Sequence, residues 1–301
     1  RMSRGLGDVY KRQTRNTLTR IHQKSADLRH VVQTALERNR KKYDLQSKQL
    51  KGTEKRDKYK VYGELINTYG YNLEPGSKEL TALNYYTNEE ITIPLDPTQT
   101  PGENAQRYFA KYNKQKRTFE ALTELIQETA DDIQYLESIS NALDIALSEA
   151  DLAQIKEELM QSGYIRRKHT KKKVKLTSKP MHYISSDGYD MYVGKNNLQN
   201  EELTFSFANG NDWWFHAKGA PGSHVIVKSG GDELPDRTFE EAGRLAAYYS
   251  KNRGADKVEI DYIQKKHVKK PNGAKPGFVV YYTNYSLVID SDISNIKNVQ
   301  D

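Results

Sequence analysis

The feature that most constrains this chain is a run of apolar or small residues at Phe119, Leu122, Ile126, Thr129, Ile133, Leu136, Ser140, Leu143, Leu147 and Ala150. The steps alternate three and four without a break, which is the seam of a helix that buries one stripe against a partner helix. The seam extends back through Tyr112, Tyr108 and Ala105. Thr100-Pro101-Gly102-Glu103 marks its start, with a capping Thr, Pro at the first helical position and Glu at the third. Gly163 supplies a stop, so one helix is expected from Pro101 to about Gly163. Residues 14–70 read as helix with a rougher seam through Leu28, Val32, Leu36, Tyr43 and Leu50, then Tyr62, Leu65 and Tyr69. Between the two, 71–100 reads as a small cap. Turns fall at Pro75-Gly76 and Asn88-Glu89, and strand-like alternation covers 82–86 and 90–95.

Charge suggests how these helices pair. Residues 1–70 carry 18 Lys+Arg against 7 Asp+Glu, 71–163 carry 7 against 17, and 164–301 carry 22 against 16. A basic helix followed by an acidic one favours folding back as an antiparallel coiled coil. A parallel dimer of the acidic helix is the alternative. The basic C-terminal segment is suited to phosphate.

The 301 residues are 36% apolar and 29% charged, which fits a compact domain joined to an elongated, solvent-rich element. There is no cysteine, so disulfides, thiol catalysis and iron–sulfur clusters are excluded. No apolar run approaches the length of a membrane span. Arg1-Met2-Ser3-Arg4-Gly5 lacks the apolar core of a signal peptide. Residues 1–13 read as a non-native leader and stand outside the fold expectation.

After a basic linker at 164–180 that includes Arg166, Arg167, Lys171, Lys172 and Lys173, residues 181–292 read as a compact α+β domain, with 293–301 as a tail. The expected strands are 182–185 and 189–193 about a Ser186-Asp187-Gly188 turn, then 203–208, 212–216, 224–228, 258–264 and 278–289. One helix is expected at 238–251, opened by Thr238-Phe239-Glu240-Glu241 as a capping box, with Leu245, Ala246 and Tyr249 facing the core. The whole chain is thus an α+β protein: a long antiparallel two-helix coiled coil with a small β-containing tip, then a compact domain of mostly antiparallel strands with one main helix.

Two stretches here are candidates for RNA contact. The first is Asp212-Trp213-Trp214-Phe215-His216 with Ser223 and His224. Alternation along a strand puts Trp213 and Phe215 on one face and Trp214 and His216 on the other. One face suits a core, and the other can present an aromatic platform beside a His for stacking on an unpaired base. Plain core packing is the competing reading. Metal or hydrolytic chemistry at His216 and His224 lacks a third ligand, or a nucleophile with its base, by spacing. The second stretch is 264–277, which packs Lys265, Lys266, His267, Lys269, Lys270 and Lys275 into a Gly/Pro-containing loop between strands. Such a loop suits the phosphate backbone, and a solvated hairpin tip is its alternative. Tyr281-Tyr282-Thr283-Asn284-Tyr285 reads as ordinary strand chemistry.

Asp212–His216 with Pro221-Gly222-Ser223-His224, and Val258–Tyr262 running into His267–Pro271 and Gly273–Gly277, resemble the NFACT-R domain signature. Asn84-Tyr85-Tyr86, Ile91–Pro97 and Glu103–Phe109 are similar to the coiled-coil and middle segment of bacterial NFACT (RqcH-type) proteins. The resemblance covers about 14–290, with Trp213 standing where the family usually has a plainer apolar residue. It implies the C-terminal half of a longer protein, without the family's N-terminal domain and helix-hairpin-helix region. It also implies a non-enzymatic, cytoplasmic ribosome-associated quality-control factor that binds the large ribosomal subunit with stalled peptidyl-tRNA, recruits tRNA and supports untemplated alanine tailing. No cofactor or metal is implied. The alternative partner is fibronectin, for a surface adhesin, as streptococcal members are named.

Overall fold

The computed structural model describes residues 3–168 and 175–299. The elements divide into two compact units, 38–132 and the combination of 1–37 with 133–301. Helix α1 (Ser3–Gly52) and helix α3 (Pro101–Ile145) each contribute to both.

In the unit 38–132, α1 ends and the chain bends at Thr53, whose hydroxyl donates to the Leu50 carbonyl at 2.6 Å before α2 (Arg56–Tyr69) begins. Strands β1 (Glu79–Asn84) and β2 (Glu89–Pro94) form an antiparallel hairpin in which Leu80 faces Ile93 and Ala82 faces Ile91. The turn between them is completed by Asn88 in the left-handed region, φ 59, which the short Asn side chain tolerates. Leu65, Ile66, Leu80, Ile93, Leu95 and Tyr108 form the core. A methyl at Gly63 would lie 2.7 Å from the Phe109 ring, so α2 and α3 approach too closely for any side chain there. The capping box is as expected: Thr100 N–H donates to Glu103 Oε2 at 3.1 Å, and Glu103 N–H to Thr100 Oγ1 at 3.2 Å. The α1/α3 pairing is antiparallel, with Gln46 meeting Thr129 at 2.8 Å and Arg56 lying over the Phe119 ring at 4.1 Å.

In the other unit, Leu28, Val32 and Leu36 of α1 pack against Leu136, Ile139 and Leu143 of α3 and against Leu152, Ile155 and Leu159 of α4 (Glu149–Gln161). Basic α1 meets acidic partners as charge predicts, through Lys24–Glu149 at 3.5 Å and Arg29–Asp144 at 2.7 Å. The single long helix expected to Gly163 is two. It breaks at 146–148, where Ser148 Oγ accepts from Asp151 N–H at 3.1 Å and Asp151 accepts from Leu147 N–H at 3.0 Å. That reciprocal cap starts α4 and leaves the seam residue Leu147 77% exposed.

The rest of this unit is a seven-stranded antiparallel sheet. Its strands are β3 (Met181–Ile184), β4 (Asp190–Val193), β5 (Trp213–Ala217), β6 (Val225–Val227), β7 (Val258–Gln264), β8 (Tyr285–Ile289) and β9 (Lys297–Val299). Their spatial order is β8-β7-β5-β6-β4-β3-β9. Helix α6 (Asp236–Tyr248) covers one face with Leu245, Ala246 and Tyr249 buried against Phe215, Val225 and Ile260. Three local expectations fail. Residues 203–208 are a wide helical turn closed by Ala208 N–H to the Leu203 carbonyl at 2.9 Å, continuing α5 (Asn197–Glu202), and are not a strand. Thr238 does not cap α6, because its hydroxyl is drawn to Ser185 Oγ and Asp187 Oδ2. The strand expected over 278–289 is regular only at 285–289, with one bridge pairing Lys269 and Val280 before it.

Candidate nucleic-acid interface

The alternation read along 213–216 is correct, but neither face of β5 is free. Trp213 and Phe215 lie on the α6 side. Trp214 is fully buried on the other side beneath Leu203, Ala208, Val268 and Tyr281. The α5 turn and the segment after β7 form a second layer, which two stretches far apart in sequence build together. The expected exposed platform of Trp214 and His216 is therefore absent from this surface. Trp214 stacks within the layer on His216 at 5.6 Å, meets His224 edge-to-face and packs at a tilt on Tyr281.

His224 is buried, with Nδ1 2.8 Å from Thr204 Oγ1, and burial followed by the neighbouring His216 pushes its pKa down to about 3. Burial also lowers His216. Both imidazoles are neutral at physiological pH and carry no charge to offer a phosphate. Ser223 and Asp212 are likewise only 2% exposed. Asp212 instead organises the β5 entry. Its Oδ2 accepts from Asn209 N–H at 2.7 Å and Lys228 Nζ at 2.7 Å, and its Oδ1 accepts from Ser229 N–H at 3.0 Å. Among the described residues no cluster of His, Asp and Glu is arranged to hold a metal ion.

The basic loop behaves differently. A short turn at Lys265–His267 and the Lys269–Val280 bridge fix its backbone, and Lys265 and Lys266 donate their N–H groups to the carbonyls of Asp212 and Gly210. Lys266, His267, Lys269 and Lys270 are exposed, while Lys265 and Lys275 are partly covered. Lys270 is paired with Glu201, and Lys275 lies over the Tyr135 ring at 5.0 Å. Among the described residues no carboxylate pairs with Lys265, Lys266 or Lys269. Gly277 closes the loop in the left-handed region, φ 79, and donates its N–H to Glu201 Oε2 at 3.1 Å. Two residues past Val280, Tyr282 is 77% exposed, whereas Tyr281 turns inward and donates to Asp261 Oδ2 at 2.8 Å. Tyr282 is the aromatic that the sequence reading passed over. Its signal is the alternation from buried Tyr281.

In the linker, Arg167 pairs with Glu157 at 2.6 Å and Arg166 is exposed; Lys171, Lys172 and Lys173 lie outside the described residues.

Residues 1–178 match the family of NFACT N-terminal and middle domains, and 179–282 match the NFACT protein RNA-binding domain. The chain belongs to the NFACT family. It is 41% identical over 282 residues to the Rqc2 homolog RqcH of Streptococcus pneumoniae, covering 93% of this chain and 51% of that protein. Its identity to RqcH of Bacillus subtilis is 39% over 284 residues, covering 92% and 49%. This NFACT chain therefore spans about half the length of the curated relatives it matches. A solved structure, the C-terminal of the fibronectin/fibrinogen-binding protein from Streptococcus suis, is similar with a TM-score of 0.73 and 37% identity, covering 93% of this chain and 99% of that one. No helix among the described residues is long and apolar enough to cross a membrane.

Proposed function

We propose that this chain is the RNA-contacting part of a cytoplasmic ribosome-associated quality-control factor. It would bind the large ribosomal subunit carrying stalled peptidyl-tRNA, together with tRNA, and support untemplated alanine tailing without being an enzyme itself. The observation that carries the reading is the backbone-anchored loop in which, among the described residues, no carboxylate pairs with Lys265, Lys266 or Lys269, within the stretch that matches an RNA-binding domain. Unneutralised lysines on a fixed backbone suit phosphate oxygens, and Tyr282 beside them offers a ring for an unpaired base. Membership of a family whose curated relatives are named RqcH supports the quality-control setting.

The test is a binding titration against purified large subunits and against tRNA at two salt concentrations. The variant carries Lys265→Glu, Lys266→Glu and Lys269→Glu, and leaves Lys270 alone because it holds Glu201. Salt-sensitive binding that this variant loses is expected. Unchanged RNA affinity in the variant refutes the loop. A parallel fibronectin arm is included because the similar Streptococcus suis protein is named for that ligand. Saturable fibronectin binding without RNA binding would favour the adhesin.

A further inference from the structure

The two ends of the seven-stranded sheet are guarded differently. Strand β9 carries exposed Lys297 and Asn298, and an edge lysine is a common device against further pairing. Strand β8 at the other end reads Tyr285-Ser286-Leu287-Val288-Ile289, without a proline or a charge. Among the described residues no strand lies beyond it. Tyr285 is 59% exposed and Val288 60%. Register shows which backbone groups of β8 are open. Lys218 N–H donates to the Glu259 carbonyl at 2.9 Å and Lys265 N–H to the Asp212 carbonyl at 2.8 Å, so the odd-numbered residues of β7 turn their polar groups toward β5. The even-numbered ones turn toward β8, where Tyr262 faces Tyr285, Ile260 faces Leu287 and Val258 faces Ile289. The N–H and C=O groups of Ser286 and Val288 therefore point away from the sheet.

On the α6 side this edge is aromatic and acidic. Tyr285 stacks on Tyr262 at 5.5 Å, which occupies the inner face of its ring. Gly243 lies against β8, since a methyl there would meet Leu287 at 2.8 Å, and Arg244 pairs with Asp290 just past the strand. The α6 stripe of Asp236, Glu240 and Arg244, spaced by four residues, thus runs along β8. Burial, then the charges of Tyr285 and Asp236, push the Tyr262 phenol up, which places Asp236 beside these rings. Asp236 and Glu240 are exposed, and among the described residues no Lys or Arg pairs with either. Two nearby cations are already taken, Arg244 by Asp290 and Lys218 by Glu259.

We propose that β8 accepts an extended cationic segment of a partner protein as an added strand. The segment's backbone bonds to the outward groups of Ser286 and Val288, and one of its Lys or Arg side chains rests on the outer face of Tyr285 beside Asp236 and Glu240. The inference does not depend on the assignment of the loop near Lys269. Charge sign selects the occupant. A polyanion is repelled where Asp236 and Glu240 stand unneutralised. A second copy of this chain is disfavoured for the same reason: antiparallel pairing of two β8 strands sets both α6 helices on one face of the joined sheet and brings their acidic stripes together. A cationic strand meets complementary charge and supplies the missing ladder partners.

The experiment titrates the whole chain into a fluorescent peptide of about eight residues that alternates Lys or Arg with Val, long enough to cover the strand. A Glu/Val peptide of the same alternation and a cationic peptide N-methylated at alternate amides, which cannot pair, run in parallel. Anisotropy reads affinity, and amide exchange reads the N–H groups of Ser286 and Val288. Val288→Pro removes one outward N–H while leaving the β7–β8 bonds in place. Val288→Lys blocks the edge without altering the backbone, and circular dichroism melting confirms both folds. Expected are binding of the cationic peptide alone, slowed exchange at 286 and 288, and a loss of affinity of about tenfold in Val288→Pro, with a smaller loss in Val288→Lys. Asp236→Asn with Glu240→Gln should weaken binding about threefold or more, an effect that fades at high salt. The proposal is overturned if the cationic peptide does not bind, if the acidic or N-methylated peptide binds as well, or if Val288→Pro leaves the affinity unchanged. It is equally overturned if sedimentation shows a concentration-dependent dimer that Val288→Pro disperses, which makes a second copy the occupant, or if single-stranded RNA displaces the peptide and loses affinity in Tyr285→Ala.

Discussion

Glu158 on α4 offers a sharp test of the packing between the helices. It is 1% exposed, and its Oε1 accepts from Tyr135 Oη on α3 at 2.9 Å. Burial raises its pKa from 4.5 to about 7. A carboxyl whose pKa is higher in the fold than in the unfolded chain favours folding most below the unfolded value, and that advantage is lost as pH rises through about 7. A difference of about 2.5 units corresponds to about 3 kcal/mol at pH values above 7, as an upper figure before local relaxation. Glu158→Gln keeps an acceptor for Tyr135 and removes the ionisation.

The variant should therefore melt higher than the parent at pH 8, by about 5–10 °C, at the usual few degrees per kcal/mol for a chain of this size. At pH 5 the parent carboxyl is protonated in the fold, and the difference should shrink to about 2 °C or less. Melting curves of both proteins at the two pH values, followed by circular dichroism, measure the gap. An equal gap at both pH values would show that Gln acts through packing alone. A lower melting temperature for Glu158→Gln at pH 8 would show that the buried carboxylate is compensated and refute the reasoning.

Other positions give further checks. Asp212→Ala leaves two backbone N–H groups and the Lys228 ammonium without their acceptor, so urea unfolding should show a loss of about 3 kcal/mol; an unchanged midpoint would refute the organising role. Gly277→Ala puts a methyl 2.8 Å from Asn197 Oδ1 at a left-handed backbone position, and should destabilise by about 1–3 kcal/mol with faster amide exchange in 265–280. His224, held near 3 by burial, contributes stability that is present above pH 6.5 and lost as pH falls through about 3. His224→Gln should therefore flatten the acid side of the stability profile, and an unaltered acid limb would count against a buried neutral imidazole.

Elements governed by their own residues were legible in the sequence. The Thr100–Glu103 cap, the Met181–Val193 hairpin and the strand Val258–Gln264 follow from side-chain chemistry within a few residues, and they form where expected. What failed depended on distant partners. Leu147 keeps the three-four rhythm, yet Ser148 and Asp151 make a better cap than the rhythm makes a helix. Thr238 has a capping sequence, but Ser185 and Asp187 from the β3–β4 region take its hydroxyl. Trp214 lies on the face that alternation assigns to it. Whether that face meets water was decided by 197–208 and 268–281, and only the fold shows that these cover it.

The same distinction applies to charge. Averaged over 71–163 the segment is acidic, and that average pairs it correctly with α1 at Arg29–Asp144 on α3 and Lys24–Glu149 on α4. The average fails at Lys111–Arg117, because a helix presents its charges in windows of a few turns and an antiparallel partner meets each window separately. Screening over about 8 Å makes the local window the relevant one. A lysine's role then depends on what lies opposite. Lys24 and Arg29 face carboxylates and hold helices together, Lys270 faces Glu201 and holds a loop, while among the described residues no carboxylate pairs with Lys266 or Lys269. Those exposed lysines keep their charge toward solvent. On that physical ground they, and not the buried Trp214, His224 and Asp212, are the residues the proposed contact with a polyanion rests on.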